Sequence, residues 1–168
     1  MKGLHLLLAA IVLGTLTCAP LAAQAEGSVG LGVSFGATMA EGSTPAIPNP
    51  GGSVAFNWGF YVDIPLISTF HVTPSSELYR LSGGNATDVD LAFKFIVPLS
   101  GMEIFAGVVP GLTAVSTALD PHIGVLGGLS LKLVSNLDVF AQAKYNILFD
   151  GGQNMHLFHL NGGLLFKF

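Results

Sequence analysis

Few side chains in this sequence could do chemistry, and they are thinly spread. Only 10% of the 168 residues are charged, against roughly a quarter in ordinary soluble domains. Past residue 25 the candidates are the acids Asp63, Asp88, Asp90, Glu103 and Asp138 and the lysines Lys94, Lys132, Lys144 and Lys167. Brought face to face in a confined space, such groups would neutralise one another as ion pairs or form a relay for protons or substrate. The histidines His71, His122, His156 and His159 make no HExxH or comparable metal box. His156 and His159 are three apart, so on an extended chain they point to opposite sides and cannot easily share an ion. No metal site and no cofactor is expected.

Side chains this sparse need elements that converge them, and the sequence supplies strands. In "SVGLGVSFGATM", Val29, Leu31, Val33, Phe35, Ala37 and Met39 alternate with Ser, Gly and Thr at every position. In "VAFNWGFYVDI", Val54, Phe56, Trp58, Phe60, Val62 and Ile64 stand opposite Ala55, Asn57, Gly59, Tyr61 and Asp63. Period two is the signature of a strand whose faces meet different surroundings. Further strands are expected at about 66–73, 87–97, 102–112, 122–133, 137–148 and 155–168, giving eight. Most have the length of ~9 to 11 residues that crosses a bilayer at a tilt.

The connections carry topology. "IPLIS" (64–68), "PLSG" (98–101) and "VSN" (134–136) read as tight turns, whereas 40–52, 74–86, 113–121 and 149–154 read as longer loops. Short turns at one end and longer loops at the other fit an up-and-down barrel with a periplasmic and an outer side. Around residues 74–84 the phase breaks, because Phe70 and Val72 lie on one parity and Tyr79 and Leu81 on the other. A bulge or loop is expected there.

Composition decides which face points outward. The chain is 51% hydrophobic with a mean hydropathy of +0.66. One face of each strand is dense with Val, Leu, Ile and Phe, and the other is mostly Gly, Ser, Ala, Asn and Thr. A soluble barrel would have to show water the small neutral face. Turned the other way, small residues fit the narrow interior of eight strands and the bulky face meets lipid. The expected fold is all-β, an eight-stranded antiparallel up-and-down transmembrane β-barrel.

Residues 1–25 read as a cleaved secretory signal: Lys2 gives the positive start, "LHLLLAAIVLGTLT" the apolar core, and Ala23-Gln24-Ala25 the small-residue cleavage site. Residues 26–168 form the barrel domain. The single cysteine, Cys18, falls within the signal, and "LTCA" lacks the small residue that precedes a lipid-attached cysteine. The formal net charge of −4 has no blocks, so nucleic acid is not an expected partner.

The chain ends "NGGLLFKF". Asn161, Gly163, Phe166 and Phe168 follow the spacing polar-x-Gly-x-x-aromatic-x-aromatic, which resembles the C-terminal signal read by the bacterial barrel-assembly machinery. With signal, strands and terminus together, residues 26–168 resemble the small outer-membrane barrels of the OmpX, opacity-protein and OmpA-barrel kind. That resemblance implies the outer membrane as location, and outer-membrane lipids, periplasmic chaperones and the assembly machinery as partners, with room for an unknown surface ligand. Some small barrels are acyl hydrolases or transferases, and His71, Ser75, Ser76 and Glu77 are suitable residue types. The stretch lacks the His-x-Ser-Asn type motif of those hydrolases, and no catalytic residue is assigned.

The functional expectation is therefore a non-enzymatic barrel for envelope integrity or surface interaction. Its lumen would be plugged by a network of Asp63, Lys94, Glu103, Lys132, Asp138 and Lys167, all near the tight-turn end. The alternatives are a narrow channel for small solutes and, behind it, a lipid-modifying enzyme.

Overall fold

A computed structural model describes residues 28–43, 52–81, 84–115, 118–150 and 152–168. The expected signal segment and Cys18 lie outside the described residues. Eight strands follow in chain order: β1 Gly30–Glu41, β2 Ser53–Ile67, β3 Phe70–Leu81, β4 Gly84–Leu99, β5 Met102–Val115, β6 Ala118–Val134, β7 Leu137–Asp150 and β8 Gln153–Lys167. Each pairs antiparallel with its sequence neighbour, and β1 pairs with β8 to close the barrel. The expected fold class is the observed one.

The period-two pattern becomes a two-sided wall. Val54 and Phe56 on β2, Phe95 on β4, Leu119 on β6 and Leu160 on β8 are among the apolar side chains that point outward and are more than half exposed. A continuous apolar exterior of this kind cannot face water and is the surface that lipid covers. The same strands turn Thr38, Asn57, Asp88, Asn146 and His159 inward, fully buried. Backbone pairing around the closed ring leaves no sheet edge, the condition for crossing a bilayer with strands.

The strands run 12 to 17 residues, longer than the sequence pattern suggested. Three of the four expected loops are largely strand. β3 and β4 pair from Phe70↔Phe95 to Leu81↔Gly84 without a shift, so the expected bulge or loop within 74–84 is absent. The phase break has another cause: Tyr79 and Leu81 point into the lumen, 4% exposed, in an apolar cluster with Ala55, Leu148, Met155 and Leu157. The register shift of β2 against β3 lies instead between Pro65 and Ile67, where proline has no N–H to give the ladder. Residues 113–115 and 118–121 are likewise strand. Only the β1–β2 connection exceeds two residues. At the opposite end Gly101, at φ 77°, completes a two-residue turn that a side-chain-bearing residue would strain.

Candidate functional site

The lumen is packed in tiers. At the end carrying the β1–β2 connection sits the apolar cluster around Tyr79, Leu148, Met155 and Leu157. Below it lies a cluster of charges, then a second apolar group of Ala92, Ile96, Phe105, Val109 and Leu126. A second set of charges occupies the tight-turn end. Alternation alone places all these side chains, since each strand offers the lumen every second residue.

The turn-end charges include those expected from the sequence. Lys94 Nζ is 2.5 Å from Asp63 Oδ1, and that carboxylate also accepts from Thr73 Oγ1 at 2.7 Å and meets His71 Nδ1 at 2.6 Å. Lys167 Nζ is 2.6 Å from Asp138 Oδ2 and 3.6 Å from Glu103 Oε1. Lys132 stands apart. It is exposed and makes no ion pair among the described residues, although its backbone is paired with Asp138. It lines a shallow mouth of about 160 Å³ beside Pro98, Glu103 and Asp138, so the expectation that it neutralises a partner does not hold. A long side chain two residues from the strand end reaches water and gains little by folding back.

The tightest charge cluster lies in the middle and was not assigned from sequence. Lys144 Nζ is 2.5 Å from Asp90 Oδ2, 3.0 Å from Glu77 Oε2 and 3.9 Å from Asp88 Oδ2. All four side chains are at most 4% exposed. Asp88 Oδ1 accepts from Tyr79 Oη and Thr113 Oγ1, both at 2.8 Å. Glu77 Oε1 accepts from Asn161 Nδ2 at 2.9 Å. His122 Nε2 is 2.7 Å from Asp90 Oδ1, and His159 lies between Glu77 and Asp88 at 3.1 and 3.4 Å. Asp88, Asp90 and Lys144 share the inward parity that the alternation defines. Glu77 falls within 74–86, which the sequence marks as a loop, and its inward position follows only from β3 being continuous.

Of the residues considered for hydrolysis, Ser75 lines the same small cavity as Glu77, while the histidine and the acid are engaged elsewhere. His71 is committed to Asp63 and Glu77 to Lys144 and Asn161. Ser76 is buried without a hydrogen bond, on the opposite side of β3 from Glu77. His156 points outward to Tyr145 Oη at 2.6 Å while His159 points inward, fully buried, as their spacing required.

Of the terminal positions, Asn161 and Gly163 face the lumen, and Phe166 and Phe168 face outward, 41% and 66% exposed. The two rings meet edge to face at 4.9 Å. Gly163 has a steric reason to be glycine: a Cβ there would lie 2.4 Å from the Phe140 ring and 2.1 Å from the Val33 carbonyl oxygen.

Solved structures match this arrangement end to end. Neisserial surface protein A superposes with a TM-score of 0.65 at 17% identity, over 82% of this chain and 97% of that one. The fold is that of the small eight-stranded bacterial outer-membrane barrels. OprG of Pseudomonas aeruginosa matches at 0.55 and 10% identity over 86% and 98%. A de novo designed transmembrane barrel matches at 0.58 and 9% over 84% and 96%. A designed chain sharing the wall shows how little the wall says about activity. No protein-family description matches the sequence. No curated protein matches it either.

Proposed function

We propose that this chain is a non-enzymatic barrel of the bacterial outer membrane, exported by its N-terminal segment, that serves envelope integrity or surface contact with its lumen sealed. The observation that carries the seal is the filling of the interior. The cavity between the two charge tiers holds about 40 Å³, room for a few waters at the ~10–15 Å³ each one needs and too little for a continuous water column. Above it Leu148 and Met155 of the apolar tier are fully buried, which supports closure at that level. An ion stripped of water would meet a dry constriction, then fixed charges already bonded to one another.

Partners follow from the surfaces. Lipid covers the apolar belt, and the assembly machinery with periplasmic chaperones would receive the terminal Asn161, Gly163, Phe166 and Phe168 before insertion. Contact with a surface ligand would fall mainly to residues 42–52, the one connection longer than two residues. Purified protein in planar bilayers tests the seal directly. Negligible steady conductance is expected, whereas a large stable conductance would refute the seal and promote the solute channel.

A further inference from the structure

Three polar atoms of the mid-lumen cluster have no hydrogen bond among the described residues, and they belong to neighbouring side chains. They are Glu77 Oε2 on β3, Asp88 Oδ2 on β4 and His159 Nε2 on β8. Glu77 is 3% exposed, and Asp88 and His159 are fully buried. A buried polar atom without a hydrogen bond is costly, and three at one place point to a shared partner such as an ion.

The other polar atom of each side chain is held. Glu77 Oε1 accepts from Asn161 Nδ2 at 2.9 Å. Asp88 Oδ1 accepts from Tyr79 Oη and Thr113 Oγ1, both at 2.8 Å. His159 Nδ1 lies 2.9 Å from Thr38 Oγ1, which accepts from Asn57 Nδ2 at 2.9 Å. Each residue is thus oriented at one end and open at the other, as metal ligands are by their outer hydrogen bonds. With the imidazole proton on Nδ1 and donated to Thr38, the Nε2 lone pair is free and lies 3.4 Å from Asp88 Oδ2. Donor atoms set ~2.0 to 2.2 Å from a tetrahedral zinc stand about 3.3 to 3.6 Å apart, so this separation is that of two zinc ligands. One donor atom from each of the three residues lies within 4.8 Å of the other two.

Lys144 does not fill the position. Its Nζ donates to Asp90 Oδ2 at 2.5 Å and stands 3.0 Å from Glu77 Oε2, out of line for a hydrogen bond. Lys144 and Asp90 cancel as a pair, which leaves Glu77 and Asp88 with two negative charges. A divalent cation bound with a neutral His159 offsets both. One imidazole nitrogen with two carboxylate oxygens suits a first-row divalent metal such as zinc, whereas calcium and magnesium favour all-oxygen shells. The cavity of about 40 Å³ lined by Glu77, Asp90 and Lys144 has room for a water as fourth ligand.

We propose that Glu77, Asp88 and His159 bind one zinc-type divalent cation that ties β3 and β4 to β8 across the lumen. β8 pairs with β7 and β1 and with neither of the other two strands, so the ion joins parts of the wall that the backbone ladder does not. No local motif announces such a site, because its ligands meet only when the barrel closes. For the same reason binding stabilises the folded state. With Cys18 its single cysteine, the chain can form no internal disulfide, and the ion supplies a cross-link of another kind.

The test folds the full mature chain into detergent micelles with zinc chloride present, removes excess ion by gel filtration and measures retained zinc by mass spectrometry. The unmodified barrel should keep a single zinc per chain. His159→Gln should keep none, and His156→Gln, whose ring points outward to Tyr145, should keep it. Free zinc at 100 times its Kd should lower the urea unfolding constant about 100-fold in the unmodified barrel and leave that of His159→Gln unchanged. Should His159→Gln not fold, zinc-edge X-ray absorption of the unmodified barrel gives the same answer, with one imidazole nitrogen and oxygens at ~2.0 to 2.2 Å. Zinc absent from the unmodified barrel, zinc retained equally by His159→Gln, a shell without imidazole, or magnesium retained in zinc's place overturns the site. Conductance tests the seal separately, because the zinc count does not depend on it.

Discussion

Replacing Lys144 with methionine removes one charge and keeps the length of the side chain, so its effect isolates electrostatics. The ammonium lies within 4 Å of three carboxylates. Removing one member of a buried ion cluster costs about 3 to 5 kcal/mol, chiefly because the remaining charge is left uncompensated. Here three carboxylates lose a shared partner, so the upper end is expected near neutral pH. Against the total stability of about 5 to 15 kcal/mol typical of a folded domain, that is a third or more. The carboxylates can recover by taking up a proton, so the loss should shrink as pH falls. Urea unfolding in lipid vesicles measures it, and heat-dependent gel mobility reports whether the barrel forms at all. Lys132→Met is the control: exposed and without an ion pair among the described residues, it should change stability by no more than about 0.5 kcal/mol. A Lys144→Met loss below about 1 kcal/mol, or one equal to that of Lys132→Met, would refute the reasoning.

Deleting Phe168 should leave chain in the periplasm while the folded remainder loses little stability, since that ring is 66% exposed; normal outer-membrane levels on fractionation would remove the terminal signal. Gly163→Ala should do the reverse, costing about 1 to 3 kcal/mol by overpacking against Phe140 and the Val33 carbonyl, read as a lowered urea midpoint. Epitope tags placed within 44–50 or at 116–117 should be accessible on intact cells and one at 100–101 should not; equal labelling of all three would overturn the orientation.

The wall was legible because lipid and lumen make opposite demands on neighbouring residues. Where both faces are satisfied by different chemistry, as in β1 and most of β2, the alternation can be read residue by residue. It fails in β3 because the lumen itself changes character along its axis. At Glu77 the inward position demands a charge, and two and four residues on, at Tyr79 and Leu81, it demands apolar bulk. An apolar residue on the inward face is indistinguishable, in sequence, from a slip of one residue. The same ambiguity turned polar inward positions such as Thr113 and Asp120 into loop signals, since a buried, bonded acid and a solvated one have the same letter. The alternation by itself puts Lys144, Asp88 and Asp90 on the inward face, but their meeting depends on which strands are neighbours across the lumen, information that resides in barrel closure and not in any local pattern.

That distinction bears on the terminal octapeptide, where the proposed assembly signal and the folded state would draw on the same residues. Asn161 donates to Glu77 in the mid-lumen cluster, and Gly163 makes room for Phe140, which meets Tyr61 edge to face at 5.0 Å. Both would be needed by a barrel that reached the membrane by any route. Phe166 and Phe168 hold nothing inside; their rings touch each other and the lipid-facing surface. A recognition signal and a folded-state requirement can therefore share a strand without competing, because the period of two gives each its own face. Only the outward pair bears on the proposed signal alone, and of that pair Phe168 lies beyond the last residue of β8, where its loss removes one backbone bond, Phe168 N–H to the Val29 carbonyl, and leaves the ladder from Gly30↔Lys167 onward in place.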